Sequence, residues 1–79
     1  MEISFSKSFQ KSFKTMDKPT KQRVKNAIEK LPLGDIKRLQ GYSGIYRLRI
    51  GNYRVIFEMN NDKIYIKDIL PRGQAYNNI

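Results

Sequence analysis

Arginines stand at positions 47, 49, 54 and 72 in the second half of the chain, beside two lysines, whereas eight of the ten basic residues in positions 1–40 are lysines. The difference is chemical. Lysine is a flexible, strongly hydrated point charge suited to a solvated helix face, while arginine carries a planar fork that matches phosphate oxygens in a bidentate way. In IYRLRIGNYRVIFEM, the residues Tyr46, Leu48, Ile50, Tyr53, Val55 and Phe57 recur with the period of a half-buried strand on either side of Gly51-Asn52. Glycine first in a two-residue turn is what a type II′ hairpin prefers. That turn sets Arg49 opposite Arg54 and Arg47 opposite Ile56, on the face away from Tyr46 and Leu48. Like charges directly opposite each other are unfavourable unless an anion or a carboxylate sits between them, and Glu58 is the carboxylate this hairpin offers on the same face. The cluster reads as a pre-organised anion site whose natural ligand is a phosphodiester; the plain alternative is the solvated side of a half-buried sheet. Arg72 and Tyr76, which follow the last apolar run, add a cation and a ring able to fold over the edge of the patch. Single-stranded RNA calls for that combination, a ring to stack on a base and cations to hold the backbone. The alternative for Tyr76 is packing on the core or on a partner.

The whole chain supports a polyanion-facing reading. Its 79 residues carry 16 Lys plus Arg against 7 Asp plus Glu, a formal charge of +9, enough to attract nucleic acid or an acidic protein. With 39% hydrophobic residues there is room for one core, so positions 1–79 are expected to form a single domain. A domain of this size buries only about 60% of its unfolded surface, and its stability margin is thin. Cys and His are both absent, which removes disulfides and the usual zinc ligands as stabilisers. A binding partner becomes the expected stabiliser. MEISFSKSFQ lacks the apolar stretch of a secretory signal, and no apolar run approaches the roughly 18 residues of a membrane span. A cytoplasmic protein without a membrane role is expected.

The elements that must hold the arginines follow from periodicity. Ile3 and Phe5 alternate in a short strand, and Phe5, Phe9, Phe13 and Met16 then recur at helical spacing behind Ser6 as N-cap. Lys7, Lys11, Lys14 and Lys18 fall on the opposite, solvated side. Asp17-Lys18-Pro19 ends this helix and starts a second over about 19–31, with Val24, Ala27, Ile28 and Leu31 as its apolar face and Pro32 and Gly34 as its stop. Residues 33–44 read as a connecting loop. A turn at Asn61-Asp62 brings KIYIKDIL back as the third strand of a meander ending before Pro71. The predicted fold is α+β, β-α-α-β-β-β, a helical hairpin packed on a small, twisted, mainly antiparallel sheet.

At these residues the chain resembles the RelE branch of the RelE/ParE superfamily of bacterial and archaeal toxins. KRLQGYSGIYRLRIGNYRVIF is similar to that family's Leu and Gly before a turn, a Tyr-Arg-x-Arg strand, a tight Gly turn and a Tyr-Arg-Val strand. ILPRGQAY is similar to its closing strand followed by Arg and Tyr. The resemblance covers nearly the whole chain. It implies the toxin of a type II toxin–antitoxin pair, a metal-independent endoribonuclease that enters the ribosomal A site and cuts messenger RNA. Its implied partners are the ribosome with its messenger and a cognate acidic, RelB-like antitoxin, any DNA contact being made through that antitoxin. By the same resemblance Arg47 and Arg49 match the two basic strand positions, Arg54 the phosphate-stabilising arginine, Arg72 the basic residue after the last strand and Tyr76 the stacking tyrosine.

One departure bears on mechanism. Well-known members carry Lys at the two strand positions, where a lowered pKa would permit proton abstraction, while Arg stays protonated at any ordinary pH. The implied reaction is attack of a 2′-hydroxyl on the adjacent phosphate, giving a cyclic phosphate and a free 5′-hydroxyl. Three arginines acting as oxyanion donors do would each contribute roughly 2–4 kcal/mol, and the general base is left unassigned. Two other readings compete: a ParE-like toxin that binds DNA gyrase, and a non-catalytic basic module that grips RNA or an acidic protein.

Overall fold

The computed structural model describes residues 2–71 and 73. The chain runs β1 (Glu2–Phe5), α1 (Lys7–Lys14), α2 (Lys18–Glu29), β2 (Ile36–Arg38), β3 (Ile45–Ile50), β4 (Tyr53–Asn60) and β5 (Lys63–Pro71). The strands form one sheet in the order β1-β5-β4-β3-β2, with β1 parallel to β5 and every other neighbouring pair antiparallel. The expected α+β arrangement is present, with one strand more than the sequence predicted. Ile36–Arg38, inside the segment read as a loop, pairs with β3 at the sheet edge. Three residues give too short a run for alternation to show, and tertiary pairing supplies the order that local propensity does not.

Both helices begin on a side-chain cap. Ser6 accepts from the Phe9 amide at 3.0 Å, and Asp17 from the Thr20 amide at 3.4 Å and the Thr20 hydroxyl at 2.6 Å, satisfying donors that a helix start leaves unpaired. Helix α2 stops at Glu29, two residues short of the predicted end. Its last turn tightens instead, with the amides of Lys30 and Leu31 donating to Ala27 and Ile28 carbonyls. Phe9, Val24, Ile28 and Leu31 from the helical side bury against Leu48, Val55, Phe57, Ile64, Ile66 and Ile69 of the sheet. Phe5, Phe9 and Phe13 stack along α1 with ring centroids 5.5 and 5.6 Å apart. The helices cover one face of the sheet and leave the other to the arginines.

Strand β5 breaks the simple meander. Ile56 pairs with Asp68 but Phe57 pairs with Ile66, so Lys67 is an extra residue, a β-bulge. The bulge changes the phase of the strand: Ile64, Ile66 and Ile69 all reach the helical core, while Tyr65, Asp68 and Leu70 take the opposite face. Ser6 fixes the distortion, its amide donating to the Ile66 carbonyl and its hydroxyl to the Lys67 carbonyl. The residue that caps α1 thus also pins it to the bulge.

Candidate functional site

Hairpin β3–β4 has the predicted register, Arg49 opposite Arg54 and Arg47 opposite Ile56. Gly51 takes φ 54°, while Asn52 is not in the left-handed region, as a type II′ turn requires. Tyr46, Leu48, Ile50, Tyr53, Val55 and Phe57 therefore pack toward the helices, and Arg47, Arg49 and Arg54 share the other face. Cross-strand rows extend the patch. Arg49, Arg54 and Leu70 form one row, Lys37, Arg47, Ile56 and Asp68 the next, and Ile45, Glu58, Tyr65 and Ser4 the third. Ile56 is fully buried although it points away from the helices; Arg47 and Asp68 flank it, and a long arginine stem covers apolar surface while its head stays in water.

Arg47 is the most constrained of the three. Its Nη1 donates to the Asp35 carbonyl at 3.2 Å and lies 3.5 Å from Asp35 Oδ1, with 16% of the Arg47 side chain and 60% of the Asp35 side chain exposed. A pair this exposed contributes about 0–1 kcal/mol and serves for aim more than for stability. The Asp35 carbonyl also accepts from the Arg49 amide at 3.0 Å. Asp35 is held close because Gly34 lies directly over Leu48: a Cβ built at Gly34 would stand 3.0 Å from Leu48 Cδ1. Asp35 is thus the carboxylate paired with Arg47, whereas Glu58, the one the hairpin alone offered, shares the face without an ion pair among the described residues. Sequence reasoning missed Asp35 because it belongs to the segment read as a loop. Arg49 and Arg54 form no ion pair with another described residue and stand directly opposite each other, two guanidinium groups available to one anion. Arg72 and Tyr76 lie outside the described residues.

A second feature lies on the helical side. Phe5, Phe9, Phe13 and Ile28 line an apolar groove between α1 and α2, together with the polar Gln10, Lys14, Lys25 and Glu29. Among the described residues no cluster of three or more acidic side chains could hold a metal ion, and no helix is long and apolar enough to cross a membrane.

Residues 3–76 match the family model described as the ParE toxin of the type II toxin–antitoxin system parDE. The chain belongs to the RelE/ParE toxin superfamily, on its RelE-like branch. Toxin RelE3 of Methanocaldococcus jannaschii is 35% identical to it over 85 residues, covering 96% of each chain. The structure of a RelB–RelE antitoxin–toxin complex from Methanococcus jannaschii matches with a TM-score of 0.72 at 36% identity, over 85% of this chain and 87% of that one. An archaeal RelE–RelB complex from Pyrococcus horikoshii matches with a TM-score of 0.75 at 28% identity, over 94% and 97%. The chain is thus a RelE-like toxin of the type II toxin–antitoxin class.

Proposed function

We propose that this toxin cuts messenger RNA in the ribosomal A site. The observation that carries the reading is the direct cross-strand opposition of Arg49 and Arg54, with Arg47 beside them on the sheet face away from the helices. Two opposed guanidinium groups are unfavourable alone and favourable around a phosphate, so the arrangement is suited to an anion ligand. In the proposed reaction the messenger's 2′-hydroxyl loses its proton as its oxygen attacks the adjacent phosphorus; the bond to the 5′-oxygen breaks, leaving a 2′,3′-cyclic phosphate and a 5′-hydroxyl that takes up a proton. Arg47, Arg49 and Arg54 stabilise the negative charge that gathers on the phosphorane. None of them is a base. The groups that could take the proton are Glu58, one row along β4 from the Arg47–Ile56 row, Tyr76 or a ribosomal group, and the ribosome supplies the in-line geometry. Arg72 and Tyr76 would close the site, Arg72 on the phosphate and Tyr76 stacked on a base.

The protein partner in this reading is an acidic, RelB-like antitoxin. Its support is the charge of +9 and the apolar groove between the helices, where Lys14 and Lys25 outnumber Glu29, which suits an amphipathic acidic helix; the archaeal relatives were solved with RelB bound. The ribosome as target makes the cytoplasm the site of action, and any contact with DNA runs through the antitoxin.

Cell-free translation tests the function. Wild-type toxin should halt synthesis and leave messenger cut at A-site codons, while Arg54→Ala should fold normally and cut nothing. Full cutting by Arg54→Ala would remove the chemistry from this face. Arrested DNA supercoiling with intact messenger would establish the gyrase reading instead.

A further inference from the structure

Among the described residues four large apolar side chains are exposed: Phe5, Leu33, Tyr42 and Tyr65. Phe5 lies on the helical side of β1, opposite Ile66, and Leu33 and Tyr42 lie in the segments before and after β2. Of the two that lie on strands, Tyr65 stands on the arginine face, opposite Glu58, and the bulge at Lys67 is what lets Ile69 join Ile64 and Ile66 in the core. In an unbroken strand Tyr65 would share a face with Ile69; the extra residue sends Ile69 to the core and leaves Tyr65 with Arg47, Arg49 and Arg54. Its ring is 40% exposed in the middle of a sheet row, between Glu58 on β4 and Ser4 on β1. Lys67 Nζ lies 5.9 Å from the ring centroid, so a cation already accompanies the aromatic surface. The bonds from Ser6 to the Ile66 and Lys67 carbonyls hold this short segment in place.

We propose that Tyr65 and Lys67 form a stacking subsite for a nucleobase of single-stranded RNA, separate from the phosphate site at the arginines and joined to it across one sheet face. The inference rests on the nuclease reading, since it supposes that the bound strand continues from the arginines toward β1. Four strand residues separate Arg54 from the Glu58–Tyr65 row, roughly 13 Å, so the ring takes a base near the cut and not the scissile nucleotide itself. An exposed ring with a cation beside it is the unit that binds single strands without regard to sequence, the ring taking the π-face and the cation the backbone. Glu58, beside the ring, repels a phosphate there and favours a base with its donor edge inward. An acidic protein surface would also pair with the three arginines, but a ring with a cation 5.9 Å from its centroid is the unit on which a base stacks while its backbone is held.

The experiment is single-turnover cleavage on programmed ribosomes as a function of toxin concentration, with Tyr65→Phe, Tyr65→Leu and Tyr65→Thr, each checked for wild-type melting. Tyr65→Phe should behave as wild type. Tyr65→Leu and Tyr65→Thr, both compatible with a strand, should raise the half-saturating concentration about 5- to 150-fold with the plateau rate unchanged, the loss expected when one base stack is removed. Wild-type half-saturation in either ringless variant that melts normally would overturn the proposal, and weakened antitoxin binding alongside it would assign the ring to the protein partner. Equal loss in Tyr65→Phe would overturn it too, by making the hydroxyl the determinant. If the wild-type chain cuts no messenger, the nuclease reading has failed, and stacking is decided separately by Tyr65→Trp, the sole tryptophan in a chain that has none. Quenching of its fluorescence by a short single-stranded RNA supports the subsite, and an unchanged spectrum at saturating RNA overturns it.

Discussion

Replacing Gly34 by alanine should destabilise the fold by about 2–4 kcal/mol and loosen the arginine site at the same time. Gly34 has φ 131°, and an added Cβ would lie 3.0 Å from Leu48 Cδ1. A side chain in that backbone region costs about 1–3 kcal/mol. Leu48 is only 2% exposed, so it has little room to retreat, and forcing it off its rotamer adds about 0.5–1.5 kcal/mol. For a domain of this size each kcal/mol lowers the melting temperature by about 4–8 °C, so the variant should melt on the order of 10–25 °C below wild type. Gly41→Ala is the control. It also has positive φ, 83°, but nothing lies within 4 Å of its added Cβ, so it carries the backbone cost of about 1–2 kcal/mol without the collision. Thermal melts followed by circular dichroism compare the two. The Asp35 carbonyl that follows Gly34 holds the Arg49 amide and the Arg47 guanidinium, so messenger cleavage by Gly34→Ala, measured below its melting transition, should fall as well. If the two variants melt within about 2 °C of each other, the close approach to Leu48 contributes nothing and the account of how Asp35 is positioned is wrong.

Three further outcomes are expected. Arg47→Lys or Arg49→Lys should keep part of the charge stabilisation and cleave more slowly than wild type in single-turnover assays, and an inactive lysine variant would show that bidentate geometry matters more than charge. The antitoxin complex should melt well above the free toxin, and Lys14→Glu with Lys25→Glu should weaken binding and flatten its salt dependence, so unchanged affinity for the double variant would move the antitoxin off the helical groove. The Thr20 hydroxyl bond holds the Asp17 carboxyl below the usual carboxylate range; a group depressed on folding stabilises above its unfolded pKa and loses that contribution as pH falls through the folded value. Denaturant titrations should therefore show wild type losing stability in acid more steeply than Asp17→Asn, and parallel pH profiles would refute the assignment.

The legible part of the candidate site was the hairpin. Gly51-Asn52 is a local signal, and once a two-residue turn is fixed the pairing of every residue in both strands follows, which is why Arg49 meets Arg54. Asp35 was not legible. Its role depends on β2 lying beside β3, and Ile36–Arg38 has no alternation to announce a strand. The bulge left a trace that could have been read: the isoleucines of β5 fall at 64, 66 and 69, a period of two that slips by one residue at Lys67.

The sequence by itself determined the cap at Ser6, the break at Asp17-Lys18-Pro19, the helical and strand periods, the hairpin register and the excess of positive charge, because each of these is an interaction between residues near in the chain or a sum over the whole of it. Tertiary structure alone decided which elements sit beside one another. Parallel pairing of β1 with β5 joins residues some sixty positions apart, and the energy that selects it comes from burying Ile64, Ile66 and Ile69 against the helices, not from local preference. Keeping all three in the core requires the extra residue at Lys67, while Tyr65, between the inward Ile64 and Ile66, falls on the face that carries the arginines.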